Sequence, residues 1–227
     1  MTRGVFIVLE GPDKSGKSTQ ARLLAEALLR AGRQVLHTRE PGGTAFAEAI
    51  RSLLLDPSHR IHPLAELLLY EAARAQHTEE VLRPALAAGK VVVCERYTLA
   101  TLAYQGHGRG LSLPLARALN RIATGGLRPG LTIVLDVPDS AFRRRDPTRA
   151  HDRLERAPAA FRRRVRAGYR SLARTEPRTR LVDGSRAPDQ VHRDVLELSV
   201  LALGPGPSIR SRTGAGPDIG GRGRTRP

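Results

Sequence analysis

The residues GPDKSGKS (Gly11–Ser18) carry the most specific chemistry in this 227-residue chain, because they fit the spacing G-x-x-x-x-G-K-[ST] in full. Glycines at these places let backbone N–H groups turn inward around phosphate oxygens. Lys17 is placed to reach β and γ phosphates as a point charge, and the Ser18 hydroxyl to ligate magnesium. The loop follows an apolar run, VFIVLE, and opens into a segment with helical spacing, whose N-terminus favours anions. That context assigns Gly11, Pro12, Asp13, Lys14, Ser15, Gly16, Lys17, Ser18 and Thr19 to ATP, with Mg2+ at Ser18. Further cationic groups stand in TREPGGT (Arg39), ARAQH (Arg74), ERY (Arg96) and the arginine-rich run FRRRDPTRAHDRLE.

The elements that must hold these groups can be read from periodicity. Val5–Glu10 reads as a buried strand, Ser18–Ala31 as a helix stopped by Gly32, and Gln34–Thr38 as a second strand before the turn EPGGT. Phe46–Leu55 is helical, Leu64–Ala88 carries one or two helices interrupted near Pro84, and Val91–Glu95 is the third strand. The segment AYQG reads as loop, Leu113–Thr124 as helix and Leu131–Val137 as the fourth strand. Ala159–Arg174 is a basic helix, Leu181–Asp183 a short fifth strand and Pro188–Leu203 the last helix. Alternating strands and helices, with strands apolar along most of their length, predict an α/β fold with a five-stranded parallel sheet between two helical layers. Ligands in such folds bind beyond the carboxyl ends of the strands, where Gly11, Arg39, Arg96 and Asp136 fall.

Composition narrows the function. With 38 Lys and Arg against 22 Asp and Glu, the formal net charge is +16, which favours anionic ligands. Aromatic content is 4% with no tryptophan, a poor basis for stacking single-stranded nucleic acid. No apolar run approaches the ~20 residues that span a bilayer. The N-terminus runs straight into the first strand without a secretory pattern, and the one cysteine, Cys94, reads as a core residue, so the expected setting is the cytoplasm. From Gly204 onward the chain is glycine, proline and arginine, too poor in apolar side chains to offset ordering entropy. The expected division is a catalytic domain over 1–203 and a disordered tail over 204–227. The guanine-selecting N-K-x-D of GTPases is absent, and a large motor ATPase would need more chain.

In order along the chain, FIVLEGPDKSGKSTQ, TREPGGT, ARAQH, VCERY, LAYQGHGRGL and LTIVLDVP resemble bacterial thymidylate kinases, from about Phe6 to about Leu203. The resemblance implies transfer of a phosphoryl group from ATP to dTMP in a homodimeric P-loop nucleoside monophosphate kinase. It implies that Arg39 and Arg96 grip the acceptor phosphate, whose oxygens suit a guanidinium fork. It implies that Arg74 donates to the pyrimidine carbonyl, that Gln105 contacts the base, and that Tyr70 stacks on it. Tyr97 and Tyr104 would line the sugar side and Asp13 would approach the 3′-hydroxyl. A mobile arginine-rich lid would span about 142–156, with Arg149 and Arg153 contacting phosphate. Lys17, Arg96, Lys14 and the lid arginines would carry catalysis. On spacing alone Arg74 also fits a solvated helix face, and Tyr70 fits the core.

The chain departs from the family pattern in several places. Lys14 stands where glycine is usual, Glu95 replaces an aspartate, Leu99, Ala100 and Thr101 replace an aspartate and serines, and Ala73 replaces an aspartate before Arg74. Four readings follow: an ordinary dTMP kinase that tolerates the changes, a relative acting on a modified pyrimidine monophosphate, a degenerate nucleotide binder, or a nucleic-acid-binding ATPase. The last has no use for RAQH and AYQG.

Overall fold

A computed structural model describes residues 4–140 and 152–204. Most of the segment expected to form a lid, including Arg149, and the expected tail beyond Gly204 lie outside the described residues. Five parallel strands form one sheet in the order β2-β3-β1-β4-β5: β1 Val5–Glu10, β2 Val35–Arg39, β3 Val91–Glu95, β4 Leu131–Asp136 and β5 Thr179–Asp183. The helices are α1 Lys17–Arg30, α2 Ala45–Leu55, α3 Pro63–His77, α4 Arg83–Ala87, α5 Thr98–Thr101, α6 Leu113–Thr124, α7 Ala159–Thr175 and α8 Pro188–Leu203.

Side chains alternate across a strand, so β1 serves two layers at once. Ile7 and Leu9 pack with Leu24 and Leu28 of α1 and Val191 and Val195 of α8. Phe6 and Val8 face the other way, toward Leu82, Ala85, Val92 and Tyr97. Each of these large apolar groups contributes about 1.5–3 kcal/mol by leaving water. The central strands are the apolar ones; β2, at the sheet edge, is VLHTR and only partly buried. The register places Leu9 opposite Glu95 and Glu95 opposite Arg39, so the chain leaves β1, β2 and β3 at one level.

Two departures from the sequence expectation matter for the site. The stretch after α3 widens into a π-helical turn at Thr78–Leu82 before α4, where Pro84 occupies the first turn. Proline lacks an N–H and crowds the preceding carbonyls, and a wider turn absorbs both effects. The AYQG segment is not a loop: α5 runs directly into a π-helical turn over Leu102–Gly108, with Arg109 N donating to Tyr104 O at 2.8 Å. Glycines at 106 and 108 hide this helix from propensity. Contact with α7 selects it. A Cβ on Gly108 would meet the Phe161 ring at 2.7 Å, and one on Gly168 the His107 ring at 2.7 Å.

The pair of glycines brings α7 and the π turn into close contact, which generates a test. Gly168→Ala gains about 1 kcal/mol of helix propensity. The added methyl meets atoms near the root of His107, which move only with the backbone, and such overpacking costs about 1–3 kcal/mol. Overpacking wins, so urea unfolding should show lower stability for Gly168→Ala. An unchanged or raised midpoint would overturn this packing.

Candidate active site

The loop between β1 and α1 is built on glycines in the left-handed region, Gly11 at φ 138° and Gly16 at φ 97°. A side chain is excluded at Gly11, where a Cβ would run into the backbone carbonyl of Leu135. Lys17 reaches back over the loop, donating to Gly11 O at 3.1 Å and to Pro12 O at 2.7 Å. Burial, with the like charge of Arg96, pushes Lys17 down to about 7, so it gains by meeting an anion. Ser18 and Thr19 line the mouth of a cleft of about 630 Å³, together with Lys14, Ser15 and Arg96.

Glu95 projects from the end of β3 into the same cleft. Ser18 Oγ donates to Glu95 Oε2 at 2.5 Å, and Glu95 Oε1 lies 3.0 Å from His37 Nε2. Burial opposes ionisation, yet these hydrogen bonds and the charge of Lys17 hold Glu95 below the usual carboxylate range. The extra methylene of glutamate therefore still delivers an anionic oxygen to Ser18. A hard alcohol oxygen beside a carboxylate suits magnesium, which takes one or two protein oxygens and fills its octahedron with phosphate and water. Among the described residues no cluster of three His, Cys, Asp or Glu would bind a metal by protein groups alone.

Arg96 forms the wall between this cleft and a second cavity. Its backbone is left-handed, φ 69°. Its guanidinium donates to Gly11 O and Tyr169 OH, each at 3.0 Å, to Asp13 Oδ1 at 2.5 Å and to Tyr104 OH at 3.0 Å. Tyr104 OH in turn donates to Asp13 Oδ2 at 2.8 Å, and its ring lies 4.9 Å from the Arg96 carbon. Beneath them Glu10, wholly buried, accepts from Tyr97 N at 2.7 Å, Ala100 N at 3.1 Å and Tyr169 OH at 2.8 Å. Burial raises the Glu10 carboxyl, while its neighbours Asp13 and Arg96 stay charged: Asp13 is lowered against its own burial by Arg96 and Lys17.

The second cavity is lined by Tyr70, Arg74, Thr101, Tyr104 and Gln105 and shares Asp13, Glu40, Arg51 and Arg96 with the first. Arg74 is 2% exposed, which excludes the solvated helix face. It donates to Glu40 Oε2 at 2.8 Å, Glu71 Oε1 at 2.5 Å, Thr101 Oγ1 at 2.7 Å, Asn120 Oδ1 at 2.8 Å and Tyr97 O at 3.0 Å. A carboxylate partner for Arg74 comes from Glu71, three residues before it on α3, and Thr101 adds a hydroxyl bonded to both. Ala73 itself packs with Ala47 and Leu54, and Leu99 joins the apolar cluster of Tyr104 and Phe161. Arg39 is half-exposed at the rim and paired with Glu48 at 3.1 Å. Arg51, unnoticed in the sequence, donates to Pro41 O at 2.9 Å and lines both cavities. Burial and the like charge of Arg39 lower its affinity for its proton.

Two expectations are corrected. Tyr97 does not line the sugar side: it is 1% exposed, packs edge-on against Phe6 and lines neither cavity, because its backbone must turn to feed Glu10 and Arg74. Arg153 does not point at the phosphate loop. Its side chain donates to Leu54 O at 2.7 Å and pairs with the buried Glu66 at 2.7 Å, the stronger attraction for a guanidinium leaving water. Glu10, Arg51 and Tyr169 escaped sequence reading. The one signal was a charged Glu10 ending an otherwise apolar strand.

A parallel sheet in this order, with a glycine loop and lysine cradle at β1 and an arginine wall at β3, defines a P-loop phosphotransferase. The Thymidylate kinase family model matches residues 9–195. The chain is 49% identical to a thymidylate kinase of Deinococcus radiodurans over 86% of this chain and 96% of that one. It is 49% identical to that of Pelotomaculum thermopropionicum over 88% and 95%. A thymidylate kinase structure from Ehrlichia chaffeensis superposes with a TM-score of 0.72 at 33% identity, covering 87% of this chain and 99% of that one. The chain belongs to the thymidylate kinase family.

Tyr104 tests the wall. Tyr104→Phe keeps the ring over Arg96 but removes the hydroxyl shared by Arg96 and Asp13. Hydrogen bonds to charged groups contribute about 1.5–3 kcal/mol, so steady-state kinetics should show kcat/KM reduced by roughly 10-fold or more. Unaltered kinetics would mean that Arg96 is held without Tyr104.

Proposed function

We propose that this chain transfers the γ-phosphoryl group of ATP to dTMP, giving ADP and dTDP for dTTP synthesis. The observation that carries this reading is the pair of cavities meeting at Arg96: the phosphate loop opens into one, and Tyr70, Arg74 and Gln105 line the other. Donor and acceptor then approach the same guanidinium from opposite sides. An acceptor phosphate oxygen attacks the γ phosphorus, the bond to the β–γ bridging oxygen breaks, and ADP leaves with that electron pair. The attacking oxygen is already anionic, so no strong base is required. Catalysis is positioning plus charge stabilisation. Lys17 holds the β and γ phosphates, Arg96 bridges the groups exchanging charge, and Arg39 and Arg51 take the acceptor phosphate, the like charge of Arg39 adding to Arg51's need for an anion. Ser18 and Glu95 would hold magnesium, which would supply charge neutralisation to the phosphates. Lys14 and Arg149 are our choices for the far side of the transferred group, with the 142–156 segment as lid.

On the acceptor side, Tyr70 offers a neutral ring, since burial pushes its phenol up. Asp13 serves by holding Arg96 and Tyr104 in place. The departures from the family pattern do not favour a changed acceptor or lost activity, because Glu95 reaches Ser18 and Arg74 keeps a carboxylate partner in Glu71. No described helix is long and apolar enough to cross a membrane. We place the enzyme in the cytoplasm.

A homodimer has a surface suited to it. Phe46 and Leu53 on α2 and Leu64 and Leu68 on α3 are 39–54% exposed on two helices that pack together. Such an apolar face is what a second copy would cover. Sedimentation should show a dimer that Leu53→Glu with Leu68→Glu converts to monomer; a monomeric parent chain would refute the assignment.

Turnover decides the main reading. With ATP and magnesium, ADP release should be fast with dTMP and slow with dCMP, dGMP and AMP, and Lys17→Ala should abolish it. Preference for a C5-modified pyrimidine would instead support a specialised relative, and ATP binding without turnover a degenerate one.

A further inference from the structure

Glu66 lies on α3 with 0% exposure, yet the phosphate-transfer scheme gives it no part. Its carboxylate collects N–H groups from three residues. Arg109 donates at 2.9 Å to Oε2, Arg153 pairs with Oε2 at 2.7 Å, and Gln105 Nε2 donates at 2.8 Å to Oε1. Burial opposes its ionisation, but Arg109, Gln105 and Arg153 more than compensate and keep it an anion.

This matters because the Gln105 side chain has two ends. One end of the amide is a double donor and the other an acceptor, and a free amide can turn either way. An ionised carboxylate has no proton to give. Turning the amide over would set its oxygen against Glu66 Oε1, leaving two buried acceptors face to face. Glu66 therefore fixes the nitrogen inward and leaves the Gln105 oxygen as the atom available to the cavity that Gln105 lines. Among the described residues that oxygen has no hydrogen-bond partner. Arg74, on the same cavity, can only donate.

We infer that Glu66 is a positioning residue that turns the Gln105 carbonyl toward the acceptor base and so selects pyrimidines carrying N3–H and a 4-carbonyl. This rests on the proposed acceptor site. Thymine and uracil offer an N3–H donor to Gln105 and an O4 acceptor to Arg74. Cytosine presents a bare N3 acceptor and an amino donor at those places, so both contacts fail. Arg74 rejects cytosine unconditionally, whereas Gln105 rejects it only while Glu66 holds the amide.

The test is the ratio of kcat/KM for dTMP to that for dCMP in the full-length enzyme. Glu66→Gln can donate to a turned Gln105 amide, so the ratio should fall about 10- to 100-fold, the range for one mispaired buried group, with KM for dCMP improving. A residue that only ties α3 to Arg109 and Arg153 would lower both substrates together and leave the ratio unchanged; that result overturns the inference. If Glu66→Gln fails to fold, the charge-balanced pair Glu66→Gln with Arg109→Met is read in the same way. Gln105→Met separates the two levels of argument. If it leaves the ratio intact, the acceptor-site reading itself fails. If it collapses the ratio while Glu66→Gln does not, only the role of Glu66 is lost.

Discussion

The ion pair between Arg96 and Asp13 ties the end of β3 to the phosphate loop, and the surrounding architecture is arranged to keep it in place. A non-glycine residue in the left-handed region costs about 1–2 kcal/mol. Arg96 is nevertheless held there because its guanidinium is shared by the loop carbonyl of Gly11, by Tyr104 from the π turn and by Tyr169 from α7. Glu10 supports the same point from below by accepting the Tyr97 and Ala100 amides that follow the turn. One side chain thereby links β1, β3, α7 and the π turn. The two cavities are held at a common wall.

The acidic groups around the site answer a problem created by the basic ones. A cleft that gathers Lys17, Arg39, Arg51 and Arg96 is self-repelling. Asp13 pairs with Arg96 and Glu48 with Arg39, the charges of Asp13, Glu10 and Glu95 act on Lys17, and Arg51 donates to the Pro41 carbonyl. The buried set around Arg74 works differently. Removing two charges from water offsets most of their attraction, so such pairs contribute orientation more than net stability. Orientation is what the proposed base pocket requires, because a guanidinium locked by Glu40, Glu71, Thr101 and Asn120 presents its edge in one way only.

Much of the frame was legible because it rests on short-range rules. The apolar strands, the helix stops at glycine and the loop Gly11–Ser18 each depend on neighbours within a few residues, and β1, β3 and α8 appear at the expected bounds. The AYQG segment was not legible. Its glycines argue against a helix, and only contact with α7, more than fifty residues later, turns it into one. Glu71 and Ala73 show the same limit. Reading position by position, Ala73 is the loss of a carboxylate; in space, Ala73 packs into an apolar cluster and Arg74 takes its carboxylate from Glu71, about one helical turn earlier.

By itself the sequence determined the class of fold, the ATP loop and, through family resemblance, the residues gathered at the acceptor side. These follow from periodicity and from motifs whose members stand close together in the chain. Only the tertiary structure decided what those residues do to one another. It withdrew Tyr97 into the core, turned Arg153 onto Glu66, brought Arg51 and Glu10 into the site, and gave Glu95 its reach to Ser18. Hydrogen-bond direction, burial and charge pairing are set by distances between residues far apart in the chain, and those distances exist only once the sheet has brought its strand ends together.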